Sequence, residues 1–218
     1  MILDLILPNR CLHCSRIINA REIICNLCFE HVHFTHYDFD EDHYFKEKCQ
    51  LLFPVKNAFA LMQFEKENLS RKIIHTLKYK NREIVGKILA EWTAERICFN
   101  NENKPDLIVT VPLHPKKLRE RGYNQLHLFA DTLSKVFNIP CDHDYLKRNT
   151  HSKAQALKDK QHRLDSENSF SVQRSLNNKH ILLIDDVFTT GNTVSSIAWE
   201  IIKKGENTVS ILVIAMDE

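Results

Sequence analysis

Residues 181–193 read Ile181-Leu182-Leu183-Ile184-Asp185-Asp186-Val187-Phe188-Thr189-Thr190-Gly191-Asn192-Thr193, and this stretch decides the fold. The continuous apolar run suits a central strand of a parallel sheet, buried on both faces. Two carboxylates follow at its carboxyl end, where open α/β sheets bind ligands. A turn of small hydroxyl residues then opens into a helix whose apolar stripe is Val194, Ile197, Ala198, Ile201 and Ile202, and Gly205 reads as its left-handed cap. Backbone N–H groups at that helix start, with the Thr189, Thr190 and Thr193 hydroxyls, can hold a dianionic phosphate. Gly191 allows the main chain to approach it. The same phosphate would repel Asp185 and Asp186, so the two carboxylates should face neutral hydroxyls, such as a ribose diol.

The 218 residues contain four glycines, Gly86, Gly122, Gly191 and Gly205. Their spacing excludes G-x-G-x-x-G, and Gly86-Lys87 is followed by Ile88, which excludes a Walker A loop. An Asp-Asp strand of Walker B type therefore lacks its partner loop. A receiver-type acidic pocket belongs near a domain's start, and a plain strand–turn–helix with polar caps is the remaining bland reading. Outward from the quoted stretch, apolar runs at 57–64, 107–111 and 209–215 read as strands. Stretches 68–79, 83–98 and 123–137 carry apolar residues at helical spacing, and 148–168 is polar, an exposed loop or flap. Strands alternating with helices predict an α/β fold with a parallel or mixed sheet.

The first fifty residues differ in texture. Cys11-x2-Cys14 and Cys25-x2-Cys28 are two short hairpins, ten residues apart, that can present four thiolates to one tetrahedral Zn2+. A closed four-thiolate site is structural and supplies folding energy to a segment too small to own a core. Cys49, Cys98 and Cys141 stand alone and read as packing residues. The expected organisation is a zinc-finger domain over 1–50 and a larger α/β domain over 51–218. The chain carries 30 Lys+Arg against 28 Asp+Glu, but residues 114–163 hold 11 against 5, a local +6 that suits an anion-facing surface. The opening run ends at Pro8 and no other apolar run is long enough to span a membrane. The expected location is cytoplasmic, at most peripheral to the inner face of the cytoplasmic membrane.

Four apolar residues, two acidic residues and Val-x-Thr-Thr-Gly-x-Thr resemble the phosphoribosyl pyrophosphate motif of type I phosphoribosyltransferases. The paired Cys-x2-Cys hairpins, Leu77-Lys78-Tyr79, Val111-Pro112, Arg119-x-Arg121-Gly122-Tyr123-Asn124-Gln125 and Arg148 ahead of Gln155-x-Leu157 and Arg163 narrow the resemblance to the ComF/GntX family. Its members are phosphoribosyltransferase-like proteins with an N-terminal zinc finger. The resemblance implies a type I phosphoribosyltransferase-like sheet flanked by helices, plus a small zinc-ribbon or knuckle domain. It implies that Asp185 and Asp186 bind the ribose hydroxyls and that Thr189, Thr190, Gly191, Asn192 and Thr193 bind the 5-phosphate. Lys78, Arg119, Arg121 and Gly122 would meet the pyrophosphate, and Mg2+ would be held mostly by the ligand. One departure is Ser166, where relatives carry Asn; Asn168 lies two residues on.

The resemblance also implies a role in natural transformation, with single-stranded DNA, a helicase, a membrane channel and recombination factors as partners. Three roles stand open at this point. One is a competence protein that binds phosphoribosyl pyrophosphate with Mg2+ and handles incoming single-stranded DNA, with Tyr123 or Phe129 stacking a base. Another is a catalytically active phosphoribosyltransferase of nucleobase or cofactor metabolism with an architectural zinc finger. The last is a zinc-ribbon interaction module on a degenerate transferase domain. No catalytic residue is identified; His114 and Asp159 are general-base candidates on chemistry alone.

Overall fold

Long β-branched runs become strands here because both of their faces are covered by helices. In the computed structural model, which describes residues 8–65, 69–79, 84–149 and 169–217, five strands form one sheet. They are β1 (Val55–Gln63), β2 (Leu107–Thr110), β3 (Cys141–Asp142), β6 (His180–Phe188) and β7 (Thr208–Met216), in the spatial order β1-β7-β6-β2-β3. Every pairing is parallel. A separate antiparallel pair, β4 (Leu146–Arg148) with β5 (Phe170–Val172), has Arg148 opposite Phe170. Ile181 to Ile184 and Ile211 to Ala215 are almost fully buried. Each such aliphatic side chain contributes about 1.5–3 kcal/mol on removal from water.

The helices are α1 (Asn26–Phe29), α2 (Tyr44–Gln50), α3 (Leu69–Lys78), α4 (Ile84–Ala94), α5 (Pro115–Arg121), α6 (His127–Phe137) and α7 (Asn192–Lys203). α4 packs on α6, α6 lies against β2 and β3, and α7 meets β5, β6 and β7. Gly86 is the contact point of the first pair: a β-carbon there would lie 3.3 Å from the Phe129 backbone nitrogen. The parallel α/β architecture matches the expectation from sequence. Phe129 is fully buried and belongs to the core, so it is not a base-stacking group. Arg163, Gln155, Leu157, Asp159, Ser166 and Asn168, with most of the predicted flap, lie outside the described residues.

The cysteine-rich segment is fastened to this body at two places. Gln63 N–H donates to His33 O (2.9 Å) and Thr35 N–H donates to Leu61 O (3.2 Å), so residues 33–35 run along β1. Phe29 and Phe34 pack edge-on against Trp92 of α4, at ring-centroid distances of 5.1 and 5.9 Å. Arg96 covers the other partner, 3.9 Å from the Phe34 centroid. Residues 44–53 lie deeper: α2 packs on β1, and Phe45 meets Phe188 edge-on at 5.0 Å.

Two readings change in the structure. β6 does not end at the carboxylate pair but runs on to Phe188, because β7 continues to pair with it. Gly205 is not a left-handed cap. Positive φ falls instead on Glu206 (53°), whose N–H bonds to Ile202 O at 3.1 Å. Gly205 is required for a different reason: a β-carbon there would stand 1.7 Å from Leu176 O. Backbone cannot yield cheaply, so Gly205→Ala should lower unfolding free energy by about 1–3 kcal/mol, as overpacking does. A urea titration followed by far-UV circular dichroism checks this, with unchanged midpoint as the contrary result.

Candidate functional site

The ladder between β2 and β6 stops where the chemistry begins. Thr110 pairs with Ile184, and Val111 N–H makes the last bond, to Ile184 O at 3.0 Å. Pro112 then offers no N–H and turns the chain away. On the other side β6 stays paired, with Asp185 opposite Val213 and Phe188 opposite Met216. Asp185 and Asp186 therefore line the mouth between β2 and β6. The chain leaves β2 towards β3 and leaves β6 towards β7, in opposite directions. That is the topological switch point, the usual ligand crevice of an open parallel sheet.

Successive strand residues face opposite sides of a sheet, so the two carboxylates meet different partners. Asp186, almost buried, accepts from Lys78 Nζ (3.1 Å) at Oδ1 and from Gln125 Nε2 (2.6 Å) at Oδ2. Gln125 Oε1 in turn accepts from Arg121 Nη1 at 2.8 Å. Lys78, Asp186, Gln125 and Arg121 thus form one hydrogen-bonded chain across the mouth. Asp185 accepts from the Asp186 backbone N–H at 2.8 Å. Burial first, and then the Asp186 charge, lift Asp185 well above the usual carboxylate range; Lys78 and Arg148 oppose this only in part.

Each of these side chains is set by local structure. Gly122, with φ of 80°, ends α5 as a left-handed cap and donates to Leu118 O at 2.7 Å. The following turn is held by Asn124, whose Oδ1 accepts from Leu126 N–H and whose Nδ2 donates to Val111 O (3.2 Å). For that reason α6 begins at His127 rather than at 123. Tyr123 Oη sits within hydrogen-bond distance of the Leu77 and Tyr79 carbonyls, at 3.0 and 3.1 Å, and ties the end of α3 to this turn. Gln125 is the functional contact that sequence reading passed over. Its signal was two adjacent amides, Asn124 and Gln125, both of which the fold buries. A cavity of about 320 Å3 opens beside the turn, lined by Leu118, Gly122, Tyr123, Gln125 and Leu128.

The Thr189–Thr193 turn crowns β6. Thr189, Thr190, Asn192 and Thr193 are exposed, and Gly191 is buried beneath them with φ of 72°. A β-carbon at Gly191 would lie 2.3 Å from Leu52 Cδ1 and 2.7 Å from the Phe188 ring, so any other residue must displace these side chains and take a strained backbone. No side chain caps α7 at Gly191, which leaves its first-turn N–H groups directed out of the helix end. Leu52 O accepts from Ser195 Oγ (3.2 Å) and Trp199 Nε1 (3.0 Å), anchoring this helix start on residues 51–53. Two sequence candidates are not gathered here. Arg119 is exposed on α5, outside the Lys78–Arg121 chain. His114 is the N-cap of α5, its Nδ1 accepting from Lys116 N–H at 3.1 Å.

The second chemical centre is the cysteine cluster. The four Sγ atoms of Cys11, Cys14, Cys25 and Cys28 all lie within 4.8 Å of one another. Cys14 and Cys25 Sγ are 3.7 Å apart, too far for a disulfide. That spacing is the edge of a ZnS4 tetrahedron, about 3.8 Å for bonds of about 2.3 Å. Cys25 N–H points at Cys11 Sγ (3.4 Å), and burial of Cys11 is outweighed by N–H groups of Cys14, Cys25 and His13 that pull its thiol below the ordinary value. Cys11 N–H to Arg16 O (2.8 Å) and Leu12 N–H to Ile23 O (3.0 Å) close the first knuckle and cross-link it to the second. Of the remaining cysteines Cys49 is core, whereas Cys98 is exposed, against the expectation that it packs.

Comparison with known proteins agrees with the cysteine cluster. Residues 2–39 match the double zinc ribbon domain. The chain is 27% identical to competence protein F of Haemophilus influenzae over 93% of its own length and 94% of that protein's. It is 30% identical to competence protein ComFC of Bacillus subtilis, over 69% of this chain and 59% of that one. DNA utilization protein YhgH of Escherichia coli O157:H7 is 28% identical over 64% of this chain, which spans 63% of the length of that relative. Among solved structures, adenine phosphoribosyltransferase from Trypanosoma brucei aligns over 74% of this chain and 84% of its own, at 14% identity and a TM-score of 0.40. Purine phosphoribosyltransferase from Pyrococcus horikoshii aligns over 59% and 80%, at 18% identity and a TM-score of 0.36. The chain is a homologue of the competence proteins F and ComFC.

The cysteine cluster generates a direct test. Structural zinc in such sites is worth about 10–16 kcal/mol of folding free energy. Cys25→Ser should therefore lose the ion bound by the four thiolates and unfold the segment around it. Metal analysis and loss of ordered amide resonances from residues 9–35 report this; a zinc content unchanged from the parent chain would contradict it.

Proposed function

We propose that this chain is a ComF-type competence protein that binds phosphoribosyl pyrophosphate with Mg2+ at the switch point. In this reading it handles incoming single-stranded DNA at the cytoplasmic side during natural transformation. One observation carries the ligand reading: the chain Lys78–Asp186–Gln125–Arg121 spans the mouth beside the Gly191 turn. It sets cations at one end of a ligand, carboxylates in the middle and open helix N–H groups at the other. A molecule with two anionic ends and a neutral diol between them fits that order of charges. Asp185 and Asp186 accept from the diol, Thr189 to Thr193 hold the 5-phosphate, and Lys78 and Arg121 meet the pyrophosphate. Bound with the ligand, Mg2+ neutralises pyrophosphate charge that two cationic side chains alone leave uncovered.

The DNA half of the reading is supported by the names of the homologues and by α5, where Lys116, Lys117 and Arg119 are all exposed. Arg119 thus moves from the pyrophosphate to the DNA surface. Tyr123 has its hydroxyl engaged, while Tyr79, exposed and stacked on His75 at 4.2 Å, presents a ring beside the same loop. Among the described residues no helix is long and apolar enough to cross a membrane. A second reading, catalysed transfer to a nucleobase or cofactor precursor, is favoured by the cavity beside Gln125, which gives an acceptor a place next to Asp186's partner.

Two measurements test the reading. By titration calorimetry, phosphoribosyl pyrophosphate with Mg2+ should bind the parent chain, and Asp185→Asn with Asp186→Asn should abolish binding; undiminished affinity in the double variant rejects the site. Single-stranded oligonucleotide binding should weaken steeply with salt. Removing two phosphate contacts by Lys117→Ala and Arg119→Ala should flatten the log–log slope by about 1.4. Salt-independent or absent binding rejects the DNA role. Pyrophosphate released on adding a nucleobase, and lost in the Asp185/Asp186 variant, would establish the second reading instead.

A further inference from the structure

A second cluster of metal-ligating side chains lies at the β3 edge of the sheet, beyond His127, which lines the cavity beside Gln125. Asp131 is on α6, one turn beyond His127. Cys141 starts the edge strand β3, and His143 lies in the bend just after it. His143 Nε2 and Asp131 Oδ1 are 2.9 Å apart, and Cys141 Sγ lies 3.8 Å from His143 Nδ1 and 3.9 Å from Nε2. One donor atom from each of the three falls within 4.8 Å of the others, and all three residues are half-buried. The His127 ring stacks on His143, with centroids 3.8 Å apart, and fixes the plane of that imidazole. Asp142 is not part of the group; it pairs with Arg174.

We propose that Asp131, Cys141 and His143 form a second metal site, for a divalent ion of the zinc class. The donor set is one thiolate, one imidazole and one carboxylate, the mixture that zinc, cobalt and nickel take and that magnesium and calcium avoid. Bonds of about 2.0–2.3 Å place tetrahedral ligands about 3.3–3.8 Å apart. The His143 pairs straddle that range and Cys141 Sγ lies within 4.8 Å of an Asp131 oxygen, so an ion can be reached by opening the Asp131–His143 contact and drawing Cys141 and Asp131 onto it. Thiolate and carboxylate together neutralise a doubly charged ion. Three ligands leave one position for water, unlike the closed four-thiolate site. The ion would clip α6 to β3 and so brace, from behind, the helix that follows Gln125.

Metal stoichiometry on the full chain tests this. Protein saturated with zinc and dialysed should retain two equivalents, and Cys141→Ala or His143→Ala should retain one, still held by Cys11, Cys14, Cys25 and Cys28. Asp131→Asn should weaken the second equivalent about tenfold or more. Cobalt added to the parent chain carrying one equivalent of zinc should give visible bands with a single-thiolate charge-transfer transition, absent in Cys141→Ala. One equivalent only in the parent chain overturns the proposal, as does a second equivalent that survives both substitutions. If the variants do not fold, the parent's cobalt spectrum decides, and a second equivalent without a thiolate band rejects the site.

Discussion

The arrangement of the molecule depends on a ladder that stops. β2 and β6 share hydrogen bonds only as far as Thr110 and Ile184, while β6 continues for four residues with β7 as its sole strand partner. A strand paired on one side and free on the other leaves backbone and side-chain groups facing a gap, and the carboxylate pair occupies that gap. Pro112 comes directly after the last of these bonds and turns the chain out of the strand. Had β2 run two residues longer, Asp186 would sit beneath a ladder partner and Gln125 would have no path to it. Position here comes from an interruption in regular structure, and the side chains only exploit it.

Around the gap, elements distant in sequence are tied to one another by few contacts of high consequence. Leu52 lies against Gly191 and accepts from Ser195 and Trp199, so the segment leading into β1 forms the floor of the phosphate turn. Tyr123 holds the end of α3, and with it Lys78, beside the α5–α6 turn. Gly86 allows α4 close enough to α6 to support that turn from below. Each contact is local and steric, which explains why substitutions far from the carboxylates can still disturb their geometry.

Much of this was legible in the sequence, for identifiable reasons. The 181–193 stretch carries its own structure: a continuous apolar run, two acids and a hydroxyl turn admit few conformations together. The cysteine hairpins are equally self-contained, since four thiolates within eighteen residues leave little choice of partner. Positions that depend on another part of the chain were not readable. Gln125 contacts Asp186 only because β6 outlasts β2. Glu206, not Gly205, takes the left-handed conformation, and Gly205 is required by the backbone at Leu176, which occupies the space a side chain would need. The α5 helix was hidden by its charge, as it buries none of its own residues. Asp131, Cys141 and His143 are separated by ordinary sequence and meet only when α6 packs beside the edge strand.

The place of β1 in the sheet bears on how the chain is made. β1 is synthesised early, yet its only strand neighbour among the described residues is β7, more than 150 residues later in its register, Val55 opposite Val209. A growing polypeptide must therefore keep an apolar strand waiting while the rest is translated, the situation in which nascent chains self-associate. Residues 33–35, already synthesised, bond to the opposite side of that strand. The segment that carries these bonds precedes β1 in the chain, so it is on hand to cover one border of that strand before the last partner is made. A chain shortened to begin after the ribbon would lose that protection during translation, before any ligand site exists to be measured.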